Sequence, residues 1–532
     1  MHLAPSTAWA WLIACAVVIL LFPLATQFGN LKGKLSSFRT WVWAIALLGI
    51  VAAGFMPFTF DADIAYFEVQ PFIFFITGAL LGVLFLGEFH RMNAQKKLKH
   101  PQRVHAERRT RYSKAVEQLA YPNPAVRASA ISTLAGLVDE WLADEQLSVE
   151  ARQKEGQVVV NALCAYVRSP FARAFKAEAF ESDAPPANYA GDFATDLAAF
   201  RGEQDVRRSV FVEMSKRSST LAENEKGEVV VVPGVWSGFE FDFSRAVVFY
   251  PLDGLTIENA DFSAAKFCNG SDFSGAAFVG DANFTRAVFN QDARFSDVTF
   301  MGAADFSNTR FAGDAFFRWV AFSSNADFRE ASFGGDADFH DTAFAEDAGF
   351  SGASFEGNAG FFRSSFGGNA SFFRTDFAGT TEFREAVFEG HAGFNAATFY
   401  GDAHFSRATF EGLAGFRDVT FKAGVEFYGA SFMQTADFCD SSFVKSPPLF
   451  AAKNVESGEV YRARFAALSA GSEAVGQEAH NFAVYEGSQP IPLGTAGLNG
   501  VGYRIPVGTV LFNPASWDER QKEYTHLSEP AQ

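Results

Sequence analysis

Small apolar residues, phenylalanines and polar turn residues follow one another along this chain with a fixed period. From Phe262 a phenylalanine returns every eleven residues, through Phe273, Phe317, Phe339, Phe350 and Phe405 to Phe438, and no position is missed. A second series, five residues behind the first, runs from Phe267 through Phe344, Phe355 and Phe410 to Phe443. Two residues before every member stands Ala, Ser, Thr or Val, as Ala337 before Phe339 and Ala353 before Phe355. An inward pair at period two, followed by Gly, Asp, Asn or Ser, predicts a very short strand and a turn. Steps of five and six alternate without insertion for about 180 residues, so each unit must sit in register on its neighbours, as in a solenoid. A long helix is excluded, because pairs such as Gly335-Asp336 would then lie in helix interiors, where Gly alone costs about 1 kcal/mol. The expected core includes Phe262, Phe267, Phe339, Phe344, Phe350, Phe355, Phe405 and Phe410.

Before the repeat the pattern changes. Three apolar runs, Thr7 to Gln27, Thr40 to Thr59 and Pro71 to Leu86, each approach the ~20 residues that cross a bilayer as helix. The first loop carries Lys32, Lys34 and Arg39, the second Asp61, Asp63 and Glu68, and bases crowd behind the third run. By the positive-inside rule the N-terminus lies outside and everything after about residue 90 in the cytoplasm, a multi-pass cell-membrane protein. Arg91, Lys96, Lys97 and Lys99 are candidates for contact with anionic lipid headgroups. From Arg103 to Arg168 apolar residues recur at helical spacing, with Asn123-Pro124 as a helix start and Ser169-Pro170 as a stop. Glu203 to Arg217 suggests a further amphipathic helix. The expected organisation is an anchor over 1–90, a basic segment, helical collar and linker over 91–232, the repeat over 233–446, and a cap with a loose tail over 447–532.

The repeat resembles the pentapeptide-repeat family through units such as Ala260-Asp261-Phe262-Ser263-Ala264, Ala304-Asp305-Phe306-Ser307-Asn308 and Ala326-Asp327-Phe328-Arg329-Glu330. The resemblance covers about residues 239 to 446 and implies a right-handed quadrilateral β-helix, with the central residue and the small one two before it pointing inward. The order of anchor, helices and repeats looks like membrane-anchored bacterial members. The step length departs from the family: five and six give about twenty-two residues per coil rather than twenty, so alternate corners absorb an extra residue. The expected fold class is therefore mixed: three transmembrane helices, a small α-helical collar and a right-handed β-helix.

Composition narrows the chemistry. Phe occurs 63 times in 532 residues, which the two series explain in large part. The formal charge of -17 argues against direct nucleic-acid binding and favours basic partners. Four scattered cysteines indicate neither a disulfide framework nor a zinc site. No catalytic constellation, cofactor site or metal site is expected; His340, His391 and His404 fall out of column with one another. Residues 22 apart should stack, which creates an acidic column at Asp292, Asp314, Asp336 and Asp402, interrupted by Asn358 and Thr380. Each of these side chains is expected to cap its own turn, with cation binding or imitation of DNA as functional readings. The overall expectation is a non-enzymatic, membrane-anchored docking or scaffold protein that presents an acidic rod to an unknown protein partner. The alternative, by analogy with family members that bind gyrase, is a DNA-mimicking binder of a DNA-handling enzyme.

Overall fold

The computed structural model describes residues 103–532, apart from 225–226, 228, 454–457, 469–479 and 521–522, together with isolated positions 78, 82, 85 and 89. The chain divides into two units, Met1–Arg109 and Thr110–Gln532, and nearly all described residues belong to the second. The three apolar runs lie outside the described residues except for Gly78, Gly82 and Phe85, as do Arg91, Lys96, Lys97 and Lys99. The expectation of three transmembrane helices is overturned: among the described residues no helix is long and apolar enough to cross a membrane. The described helices have the length but not the composition. Helix α1 (Pro124–Leu142), α2 (Val149–Arg168) and α3 (Phe193–Ser215) interleave apolar residues with charges, such as Arg152, Lys154 and Glu155 in α2 and Asp205, Arg207 and Arg208 in α3. The supported architecture is a right-handed β-solenoid with a few helices.

The helices close one end of the solenoid. Asn123 starts α1 by accepting the Ala125 N–H at 2.9 Å, with Pro124 in the first turn. Ile131, Leu134 and Val138 of α1, Val160, Leu163 and Val167 of α2, and Val210, Phe211 and Met214 of α3 share one buried core. Phe211 carries that core into the rod, its ring 4.6 Å from Phe243 and stacked on Phe262 at 6.2 Å. Polar side chains serve the backbone of the first coil. Gln157 donates to the Glu240 carbonyl at 2.8 Å and accepts the Glu240 N–H at 3.1 Å, and Ser215 Oγ accepts the Thr256 N–H at 2.9 Å. Open strand edges would otherwise invite pairing with another chain.

Two-residue strands build the rod as four parallel sheets. The first face runs from Phe241–Asp242 and Ala260–Asp261 to Ala436–Asp437, and the second from Val247–Val248 and Lys266–Phe267 to Ser442–Phe443. The third spans Ser271–Asp272 to Val425–Glu426. The fourth spans Thr256–Ile257 to Ser431–Phe432 and then continues into Arg464–Ala466 and Val510–Phe512. Between Ala260 and Phe443 strands pair at a spacing of 22 residues, as Ala282 with Ala304 and Phe289 with Phe311, while the first coil and the last strands of the fourth face pair at other spacings. Phe262, Phe267, Phe339, Phe344, Phe350, Phe355, Phe405 and Phe410 are all buried. Their rings form columns: Phe350 stacks between Phe328 and Phe372 at 4.9 Å each, and meets Phe339 and Phe361 edge to face at 5.5 Å.

The two kinds of corner differ. After Phe262 the chain turns through Ser263 and Ala264, with the Ala265 N–H bonded to the Phe262 carbonyl at 3.0 Å and φ of Ala264 at 54°. A left-handed residue recurs at this position in every such turn from Ala264 to Asp440, and only Gly275, Gly352 and Gly429 among them are glycines. The corner after the second series carries the extra residue, and there glycine answers to space rather than to φ. A Cβ at Gly401 would lie 2.3 Å from the carbonyl oxygen of Gly379, one coil below.

The end of the chain is packed rather than loose. Phe450, Phe465 and Phe482 extend three of the ring columns beyond Phe427, Phe432 and Phe438. A hairpin of Leu493–Leu498 with Val501–Pro506 receives the terminal residues, Gln532 accepting the Thr495 N–H at 2.9 Å, and Ala531 is buried. The repeat period breaks here because irregular segments supply the last phenylalanines to the same columns.

Candidate functional site

With the interior filled by rings, any recognition chemistry of the rod lies on its outward positions, and the four faces differ. The fourth face presents Ala321, Ala343, Ser365 and Thr409 in its strands, small side chains that satisfy the fold and offer little else. The third face presents Asp338, Glu382, His404 and Glu426 in its strands, and Arg318, His340, Phe362 and Arg384 just past the buried phenylalanines. Arg363 covers the ring of Phe362 at 4.9 Å and forms a two-pronged pair with Asp341, both contacts 2.8 Å.

His340 and His404, which the sequence reading separates, occupy adjacent columns of this face. His404 Nδ1 lies 3.0 Å from Glu426 Oε2, and His340 Nδ1 lies 2.7 Å from Asp338 Oδ1. The Asp338 bond raises the pKa of His340 from its ordinary value, against partial burial. For Asp338 burial is the largest influence and pushes upward, but hydrogen bonds from His340 and Arg318 outweigh it and hold the carboxyl below its usual range. His391 sits elsewhere, on a corner, where its Nδ1 accepts the Leu413 N–H at 3.1 Å. Among the described residues no group of three or more His, Cys, Asp or Glu could hold a metal ion.

The acidic column is stacked, and its bonds run between coils rather than within one turn. Asp292 accepts the N–H of Asp314 at 3.1 Å, Asp314 that of Asp336 at 2.9 Å, Asp336 that of Asn358 at 2.8 Å, and Asp402 that of Gly424 at 2.8 Å. The capping of a side chain's own turn falls instead to Asp and Asn residues that precede some of the first-face phenylalanines, as Asp261 accepting the Ser263 N–H at 2.8 Å and Asn283 the Thr285 N–H at 3.0 Å. A second inter-coil ladder, missed in the sequence reading, bonds Asn259 to Asp281 and Asp347 to Asn369 at 3.0 and 2.8 Å. Its signal was present: Asn259, Asp281, Asn325, Asp347 and Asn369 keep the 22-residue register.

Parallel four-sided coiling, stacked rings and polar inter-coil ladders define the class as a β-solenoid of short repeats. A family model described as pentapeptide repeats (9 copies) matches residues 295–343 and 372–420, and the chain is a pentapeptide-repeat protein. No curated protein and no solved structure matches it.

Proposed function

We propose that the rod is a non-enzymatic protein-interaction scaffold that docks a partner protein along its third face. One observation supports this most: Asp338, Glu382, His404 and Glu426 occupy outward strand positions that the neighbouring face fills, as at Ala321, Ala343, Ser365 and Thr409, with small side chains. Coil stacking does not require them, and alternating cations, anions and rings suit a mixed polar and aromatic protein surface. The test compares the full chain with a Phe362→Ser, Arg384→Ser, His404→Ser variant and with a Glu389→Ser, Glu411→Ser control on the fourth face. Proteins retained by the wild type and the control but lost by the third-face variant, at unchanged melting temperature, are the expected result. Identical retained proteins from all three would refute the assignment.

The DNA-mimic reading has less support. The acidic column offers one carboxylate per coil over Asp292, Asp314 and Asp336 before Asn358 and Thr380 interrupt it, whereas a duplex carries one charge per ~1.7 Å. Loss of gyrase inhibition on replacing Asp292, Asp314, Asp336 and Asp402 by Asn would restore it.

A further inference from the structure

The helical cap contains chemistry that closing the rod does not use. A pocket of about 640 Å³ opens between residues 119–124, the start of α1, the turn at 169–173 and one side of α3. Below it Glu203 is almost fully buried, with both carboxylate oxygens occupied. Arg207 Nε donates to Oε1 at 2.7 Å, Arg127 Nη2 to Oε2 at 2.9 Å, and the Tyr166 hydroxyl lies 3.1 and 3.2 Å from the two. Arg207, 1% exposed, also donates to the Val167 and Ser169 carbonyls at 2.6 and 2.8 Å.

Two guanidiniums therefore share one carboxylate beneath the surface, which among the described residues leaves a positive charge without a counter-ion in a region of reduced dielectric. Arg173 adds a third guanidinium to the lining, with its Nε held by Asp196 at 2.7 Å. Tyr121, Tyr166 and Phe171 supply flat walls, and Ala198 and Ala199 leave the space open.

We propose that this pocket binds a small aromatic carboxylate, its anionic head drawn to the surplus guanidinium charge and its ring held against the tyrosine and phenylalanine walls. The site is separate from the third face of the rod. Neutral and cationic molecules of the same shape lack the charge term, so the site discriminates by charge at constant size.

The test is calorimetric titration of the full chain with benzoate, benzamide and benzamidinium. Saturable binding is expected for benzoate alone, weakening as salt is raised. Ala198→Trp, which fills the opening from an exposed position without touching the charged network, should remove it, and Arg127→Lys should weaken it about tenfold. Absence of benzoate binding, equal binding of benzamide or benzamidinium, or unchanged affinity in Ala198→Trp would overturn the proposal. If Ala198→Trp melts lower than wild type, Tyr121→Ser at the half-exposed rim decides instead: weakened benzoate binding supports the site and wild-type affinity refutes it.

Discussion

Phe350 shows how one residue supports the rod. It is fully buried and touches rings above, below and on two sides, so truncation leaves a void in a stack that cannot collapse. Phe350→Ala should cost about 3–5 kcal/mol, while exposed Glu356→Ala should change stability by no more than about 0.5 kcal/mol, both read by chemical denaturation. The corner residues make the opposite case. Glu330 has φ at 56°, a conformation costing a residue with a side chain about 1–2 kcal/mol, partly offset in glycine by unfolded-state entropy. Glu330→Gly should therefore raise stability by about 0.5–1 kcal/mol.

His340 adds a pH dependence at the same scale. Its folded pKa lies above the ordinary 6.5, so its stabilising contribution is complete below that value and is lost as pH rises through the folded pKa. Asp338 has the opposite sign: its contribution is present above the ordinary 3.8 and is lost as pH falls through its lowered folded value. Melting temperatures should thus fall from about pH 6 to pH 8 more in the wild type than in His340→Gln; parallel curves would show that the Asp338 pair does not contribute.

Among the elements, the glycine corner sets the coil spacing. Gly401 faces the Gly379 carbonyl, and Gly379 in turn faces the Gly357 carbonyl, its Cβ position 2.4 Å away. A methyl group there must push whole coils apart, because backbone rather than a flexible side chain blocks it. Gly401→Ala should cost about 2–4 kcal/mol, measured on the same denaturation curves, and a left-handed-corner change such as Ala396→Gly should not. Strand positions, inward residues and corners were legible in the eleven-residue pattern because each coil repeats the same steric demands. The inter-coil direction of the Asp292, Asp314 and Asp336 bonds was not legible, since local turn capping and bonding across coils use the same residue types.

For the whole molecule, stability is the sum of coil interfaces plus two ends. The cap supplies Phe211 to the ring columns and Gln157 and Ser215 to the first coil's backbone. Removing residues 103–232 should leave a chain with native-like strand content that melts lower and associates in sedimentation analysis. A monomer with wild-type melting would show that the helices are passengers.

By itself the sequence determined the solenoid, its register and its phenylalanine core, because a period of eleven with no insertion admits one stacking. Only the tertiary structure decided the rest. It rejected membrane-spanning helices among the described residues and drew Phe450, Phe465 and Phe482 from aperiodic segments into the columns. It set His340 and His404 on one face and gathered Arg127, Tyr166, Glu203 and Arg207 beneath a pocket. Those relations join residues far apart along the chain or out of phase in its repeat, and such residues meet only where packing closes the coils and their ends.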